Sequence, residues 1–210
     1  MGTARSRAFW LAALALSASG CGGAATVSSS RGAPPSKATS GTRFPSSQAS
    51  GGSFAWLRPG PAPQAWHVAR IADGAAMHYP PGWHLVSGDP GTATAVLMDA
   101  HGGFSGYLNI TPRQGAESLS NWGLFRVTHN AKEGDRNITG VAVSPRLRFR
   151  TGRGRCVRDT YTTGLGTRFV ELACLVAGPR TTSVIVGAAP PRMWGQMSSR
   201  LERAISAFTT

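Results

Sequence analysis

Two cysteines stand symmetrically about a glycine-rich turn. Cys156 and Cys174 each lie nine residues from Leu165, the centre of "GLG" at Gly164–Gly166. The flanking runs "RCVRDTYTT" and "TRFVELACLVA" are rich in β-branched and aromatic residues, the composition of strands. A hairpin centred on Leu165 sets the two cysteines directly opposite each other, within reach of a disulfide. Pairing register in turn decides which face of a sheet each side chain reaches. About 17 residues intervene, so the closed loop is worth about 3 kcal/mol, chiefly through the unfolded chain. The same register sets Asp159 opposite Glu171, and like charges so placed repel. Relief by Arg158 or Arg168 is one solution, and a bulge that shifts the register is another. Metal ligation is the other reading of the cysteines, and no histidine lies near them in sequence.

A third cysteine needs its own explanation. Arg5 and Arg7 precede "AFWLAALAL" (Ala8 to Leu16), an apolar run of signal-peptide length and far short of the ~20 residues that span a bilayer. "SASGC" follows and ends at Cys21. Small residues before a cysteine at this point resemble the bacterial lipobox, although Ala18 stands where leucine is commonest. That resemblance implies a signal peptide over residues 1–20 and lipid attachment, including palmitate, at Cys21. The alternative is a plain secretory peptide cut near Ala18 or Gly20, which leaves Cys21 unpaired. Cysteine arithmetic favours lipidation, because Cys156 and Cys174 then form a complete pair in an oxidising compartment. The expected location is the extracytoplasmic face of the cell membrane, held by lipid. Two or more acyl chains suffice for stable anchoring.

Residues 21–63 read as a tether. "TVSSSRGAPPSKATSGT" and "SSQASGGS" have no hydrophobic period and cannot bury enough apolar surface to offset their ordering entropy. Some forty such residues span on the order of 35 Å as flexible coil. Phe54, Trp56 and Leu57 interrupt the polar run. Docking on the domain and simple inclusion in the tether are both open for them.

Residues 64–210 read as the folded domain. "AWHVARIADGAAMHYP" is a hairpin with an Asp-Gly turn; symmetry about Asp73–Gly74 sets Val68 near Tyr79 and Ala69 near His78. "TATAVLMDA" and "SGYLNIT" are strands on either side of "HGG". Helical spacing of Leu119, Trp122, Phe125 and His129 predicts a helix from Ser118 to about Lys132, ended by "EGD". The run "ITGVAVSPRLRFR", the cysteine hairpin and "TTSVIVGAA" continue an antiparallel meander. "PPRMWGQMSSRLERAISAF" closes the chain as a core-facing helix, with Trp194, Met197, Leu201, Ala204, Ile205 and Phe208 on one stripe. The fold class is α+β: a mainly antiparallel meandering sheet, a mid-chain helix and a C-terminal helix.

"YPPGW", the meandering strands and the closing "W...RLERAISAF" together resemble the PsbP/Mog1-like domain common among actinobacterial lipoproteins of the LpqN type. The resemblance implies an α/β/α sandwich over about Trp66 to Phe208. It implies a binding or assembly-assisting module, no enzyme activity, no cofactor and no catalytic residue to carry over. In "HYPPGWHL", Pro80-Pro81-Gly82 turns the chain, and Trp83 anchors that turn in the core. His78 and His84 flank the turn.

The net charge is +13, nearly all of it arginine, since Lys37 and Lys132 are the only lysines. An anionic partner explains this surplus, and so does a GC-rich genome. Arg146, Arg148 and Arg150 alternate with Leu147 and Phe149. A strand there presents three guanidiniums on one face, and Arg153, Arg155 and Arg158 extend the charge. We expect Arg146, Arg148, Arg150 and Arg158 to bind anions.

The candidate partners are the membrane through the N-terminal lipid, an envelope protein, an apolar ligand or an acidic polymer. Nucleic acid is excluded by compartment. No G-x-S-x-G, H-E-x-x-H, C-x-x-C or P-loop pattern appears. His67, His78, His84, His101 and His129 are scattered. His67 and His78 could approach each other on the first hairpin, but a zinc pair there lacks a third ligand. A non-catalytic lipoprotein is the leading reading. A basic envelope-polymer or anionic-lipid binder is the alternative, and a small hydrolase is a third.

Overall fold

The computed structural model describes residues 53–210. The signal-like segment, Cys21 and most of the Ser/Gly/Pro-rich stretch lie outside the described residues.

Ten strands and two helices form three layers. Strands β1 (His67–Arg70) and β2 (Ala76–Tyr79) make a separate hairpin. The main sheet runs β3 (His84–Val86), β4 (Ala93–Met98), β5 (Phe104–Pro112), β10 (Thr182–Ala189), β9 (Arg168–Ala177), β8 (Arg153–Thr162) and β6 (Arg136–Val143). The short β7 (Leu147–Arg148) also pairs with β8, and every pairing is antiparallel. Helix α1 (Trp122–Lys132) covers one face and α2 (Pro191–Ala207) the other. The architecture is the expected α/β/α sandwich. None of the helices in the described residues is long and apolar enough to cross a membrane.

Strand alternation assigns the two faces. Leu172, Cys174 and Val176 of β9 pack with Met197, Leu201, Ala204 and Ile205 of α2. Ala173 and Leu175, one residue out of phase, pack with Trp122 of α1. Both faces of β9 and β10 are covered, so these strands are nearly continuous apolar runs. Gly123 lets α1 approach β6, since a Cβ there would lie 2.9 Å from a methyl of Val143. The helix begins at Trp122, not Ser118. Asn121 Oδ1 accepts from Ser118 N at 2.7 Å, and this contact closes a turn over the preceding residues.

The cysteine hairpin has the register read from its symmetry. Cys156 faces Cys174, the two are disulfide-bonded, and Asp159 faces Glu171. Its turn is a three-residue loop, with Thr163 N donating to Thr167 O and Gly166 at φ 86°.

The first hairpin uses the same turn class, and there the expected register was one residue off. Ile71 N donates to Ala75 O, Gly74 adopts φ 96°, and the loop is Ala72-Asp73-Gly74. His67 therefore faces Tyr79 and Val68 faces His78. The Asp73 carboxylate explains the longer loop: it accepts from Ala75 N at 2.8 Å and from the hydroxyls of Thr181 and Ser183.

Residues 53–63, assigned by composition to the tether, pack on the domain. Phe54 and Leu57 are buried in the core and Trp56 lies against it. Gly60 N donates to Ser206 O at 3.3 Å.

The disulfide carries a direct prediction. Replacing both Cys156 and Cys174 by alanine should lower the unfolding free energy by about 3 kcal/mol, read from denaturant titrations. Two free thiols in the oxidised, exported protein would contradict the bond.

Candidate functional site

The arginine run sits where the sheet edge breaks. Cys156 N donates to Ser144 Oγ, and Ser144 N donates to Cys156 O, both at 2.8 Å. Pro145 follows, with no N–H to continue a ladder. Only Leu147 and Arg148 then pair with β8, and Phe149 N donates to Gly152 O at 2.9 Å to close a turn. The expected long strand through Arg150 is therefore a two-residue strand and a turn. The alternation persists in burial: Leu147 is half-buried and Phe149 is buried, while Arg146, Arg148 and Arg150 are exposed. The buried Phe149 holds the hairpin to the core, so the charged side chains stand on a fixed support.

These guanidiniums lack counter-charges. Among the described residues, no carboxylate lies within ion-pair distance of Arg146, Arg148, Arg150 or Arg153. Arg150 donates to the Ala207 carbonyl at 3.5 Å. Two open concavities lie here. Residues 146–153 line one of about 630 Å³. Pro59, Gly60, Arg148, Phe149 and Arg150 line another of about 420 Å³.

Arg158 does not join this group. It lies on the α2 face of β8, 5.3 Å from the centroid of the Trp194 ring, a cation–π contact. Arg155 is likewise committed, donating to the carbonyls of Ser144, Leu119 and Ser120. The fourth expected anion-binding position is thus set apart from the other three.

The histidines do not converge. His67 and His78 sit at successive register positions and point to opposite faces of their hairpin. His84 and His101 are exposed. His129 stacks on Phe125 and lies 3.4 Å from Glu133. Pro80-Pro81-Gly82-Trp83 is a turn with Gly82 at φ 82°, and Trp83 is buried in the core. "HYPPGWHL" is a seam of the fold. Among the described residues, no group of three His, Cys, Asp or Glu side chains is arranged to hold a metal ion.

Under α1 lies a buried ionic cluster that spacing alone does not announce. Asp159 and Glu171, opposed across the β8–β9 pair, are both fully buried. Arg126 of α1 reaches down and donates to both oxygens of Glu171, at 2.6 and 2.7 Å. The relief expected from Arg158 or Arg168 comes instead from this helix residue. Neither oxygen of Asp159 has a hydrogen-bond partner among the described residues. Burial, then the charge of Glu171, pushes the Asp159 carboxyl up to about 8, and burial pushes nearby Asp135 up to about 6. Tyr107 and Tyr161 share a 2.6 Å hydroxyl contact beside the cluster, and burial raises both phenols. Perturbed carboxyls often mark active sites. Here Asp159 is sealed from solvent with Glu171, Asp135 is half-buried beside them, and the arrangement is a clamp between α1 and the sheet. Sequence offered one signal of it, the like-charge pair in register.

No family model matches the sequence, and no curated protein matches it. Similar solved structures exist. The cyanobacterial PsbP protein CyanoP from Synechocystis aligns with TM-score 0.51 and 17% identity, over 73% of this chain and 96% of that one. LpqN of Mycobacterium tuberculosis, described as involved in cell envelope biogenesis, aligns with TM-score 0.34 and 12% identity, over 71% of this chain and 80% of that one. The domain has the PsbP-like fold that the sequence resemblance implies. Identity at this level speaks to fold alone.

The buried cluster makes stability depend on pH. Asp159 and Asp135 bind protons more tightly folded than unfolded, so the folded state is favoured at low pH. Their contribution is complete below the ordinary value of 3.8 and is lost as pH rises, through about 6 for Asp135 and about 8 for Asp159. Asp159→Asn should therefore flatten the fall in unfolding temperature between these limits. An unchanged slope in the variant would contradict the assignment.

Proposed function

We propose that this protein is an extracytoplasmic lipoprotein, anchored in the cell membrane through lipid on Cys21. Its PsbP-like domain is a non-catalytic binding or assembly-assisting module. It binds anionic envelope material through Arg146, Arg148 and Arg150. The anchor is supported by the lipobox-like "SASGC" and by the Cys156–Cys174 bond, which leaves Cys21 as the one cysteine outside it. One observation carries the binding role: exposed guanidiniums without carboxylate partners surround two open concavities.

The nature of these concavities favours an anionic ligand over an apolar one. Arginine supplies planar, permanently charged donors that match phosphate and carboxylate oxygens. The histidines do not converge, and Asp159, the most strongly raised carboxyl, is fully buried; both support the non-catalytic reading over a hydrolase.

The test is binding of soluble polyphosphate to the full chain at low and high salt. Arg146→Glu/Arg148→Glu/Arg150→Glu should weaken binding at least about tenfold at low salt, and salt should erase the difference. Arg158→Glu should bind as the parent does. Equal binding by the parent and the triple variant would reject the site.

A further inference from the structure

The arginine hairpin is one side of a larger basic end of the domain. Strand β8 begins and β9 ends here, with Arg153 opposite Ala177, and β10 starts here at Thr182. The chain's last residues close this end. Thr209 bridges Ala76, whose β1 partner is Arg70, and Thr210 N donates to Thr151 Oγ1 at 2.9 Å. Arg70 and Arg150 thus stand on either side of one short segment. His78 registers both: burial lowers its pKa, and the charges of Arg150 and Arg70 lower it further. Arg180, in the turn after β9, comes within 3.9 Å of where a Cβ on Gly74 would lie. Arg70, Arg153 and Arg180 are exposed, like the three hairpin arginines.

Negative charge is sparser here. Asp73 is engaged by Ala75, Thr181 and Ser183, Glu117 accepts from Gln114 N, and Asp89 lies in the β3–β4 turn. At the other end of the strands Asp99, Glu133 and Asp135 are matched by Lys132, Arg136, Arg168 and Arg192. The end with Arg70, Arg146, Arg148, Arg150, Arg153 and Arg180 therefore has the larger positive excess.

The segment that leads in from the N-terminus passes the basic end. Gly60 is hydrogen-bonded to Ser206, next to the Ala207 carbonyl that takes Arg150. Pro59 and Gly60 line the smaller concavity with Arg148 and Arg150. Residues 22–59 separate Cys21 from Gly60 in sequence, and of these Phe54 and Leu57 are already docked in the core.

We propose that this basic end is a docking surface for the anionic headgroups of the bilayer that holds the Cys21 lipid. The proposal rests on the anchored reading above and names its partner. The lipid and the arginines would act as two membrane signals on one chain, a combination that gives stable attachment. Each arginine near an anionic surface strengthens attraction about fivefold, falling off within a Debye length. The domain would lie against the membrane with its β8–β9 turn pointing away.

The experiment uses the full chain purified from membranes, with its mass first checked for lipid on Cys21. It is reconstituted in vesicles of phosphatidylcholine, with and without phosphatidylglycerol, and followed by hydrogen exchange. Slower exchange over residues 68–71, 146–153 and 178–181, only with phosphatidylglycerol and reversed by salt, is expected. Arg70→Glu/Arg153→Glu/Arg180→Glu, with an unchanged unfolding temperature, should lose at least about tenfold of that protection. Equal exchange in both vesicle types overturns the proposal. Protection by soluble poly(glycerol phosphate) but not by vesicles also overturns it, while leaving the anion-binding reading standing. Protection by neither removes both, and a chain without lipid at Cys21 removes the anchor.

Discussion

The register of β8 against β9 is the constraint on which the domain depends. Side chains alternate, so pairing Cys156 with Cys174 also pairs Asp159 with Glu171 and sends the two pairs to opposite faces. The disulfide lies in the core under α2, and the carboxyls lie under α1. A slip of one residue in either strand would turn that strand's side chains over, part the two cysteines and send Asp159 and Glu171 to different faces. Covalent bond, ionic clamp and helix placement therefore support the same arrangement. Consistency of this kind separates one fold from its competitors.

The cost of the register is a buried like-charge pair. One arginine answers two carboxyls, and both of its bonds go to Glu171. Burial and the charge of Glu171 raise the Asp159 carboxyl and favour its neutral form, since an unpaired buried charge is far more expensive than a neutral carboxyl. The cluster ties α1 to the sheet and makes that attachment pH-dependent. The disulfide on the other face has no such dependence.

Legibility followed the range of the interactions. The cysteine hairpin was readable because its turn and strands are contiguous and symmetric about Leu165. The closing helix was readable because Met197, Leu201, Ala204 and Ile205 repeat at helical spacing. The first hairpin departs by one residue from its symmetric register because Asp73 bonds to Thr181 and Ser183, more than a hundred positions away. The strand through Arg150 was overextended because Ser144 ends the ladder through its own hydroxyl. Arg126 could not be assigned to Glu171 from sequence, since nothing local announces which helix face meets which strand. At the candidate site, Arg146, Arg148 and Arg150 were found by alternation. The placement of Arg158 over Trp194, and of Arg70 and Arg180 beside the hairpin, depends on tertiary packing alone.

The central functional claim is that charge is concentrated for use at one end of the sheet. Backbone amide shifts in an NMR titration of the protein with polyphosphate test it most directly. Changes should be confined to the β7–β8 hairpin, the neighbouring end of β1 and the β9–β10 turn, with the β8–β9 turn and the face around Arg158 unaffected. Changes centred on the β8–β9 turn, or none at saturating polyanion, would contradict it.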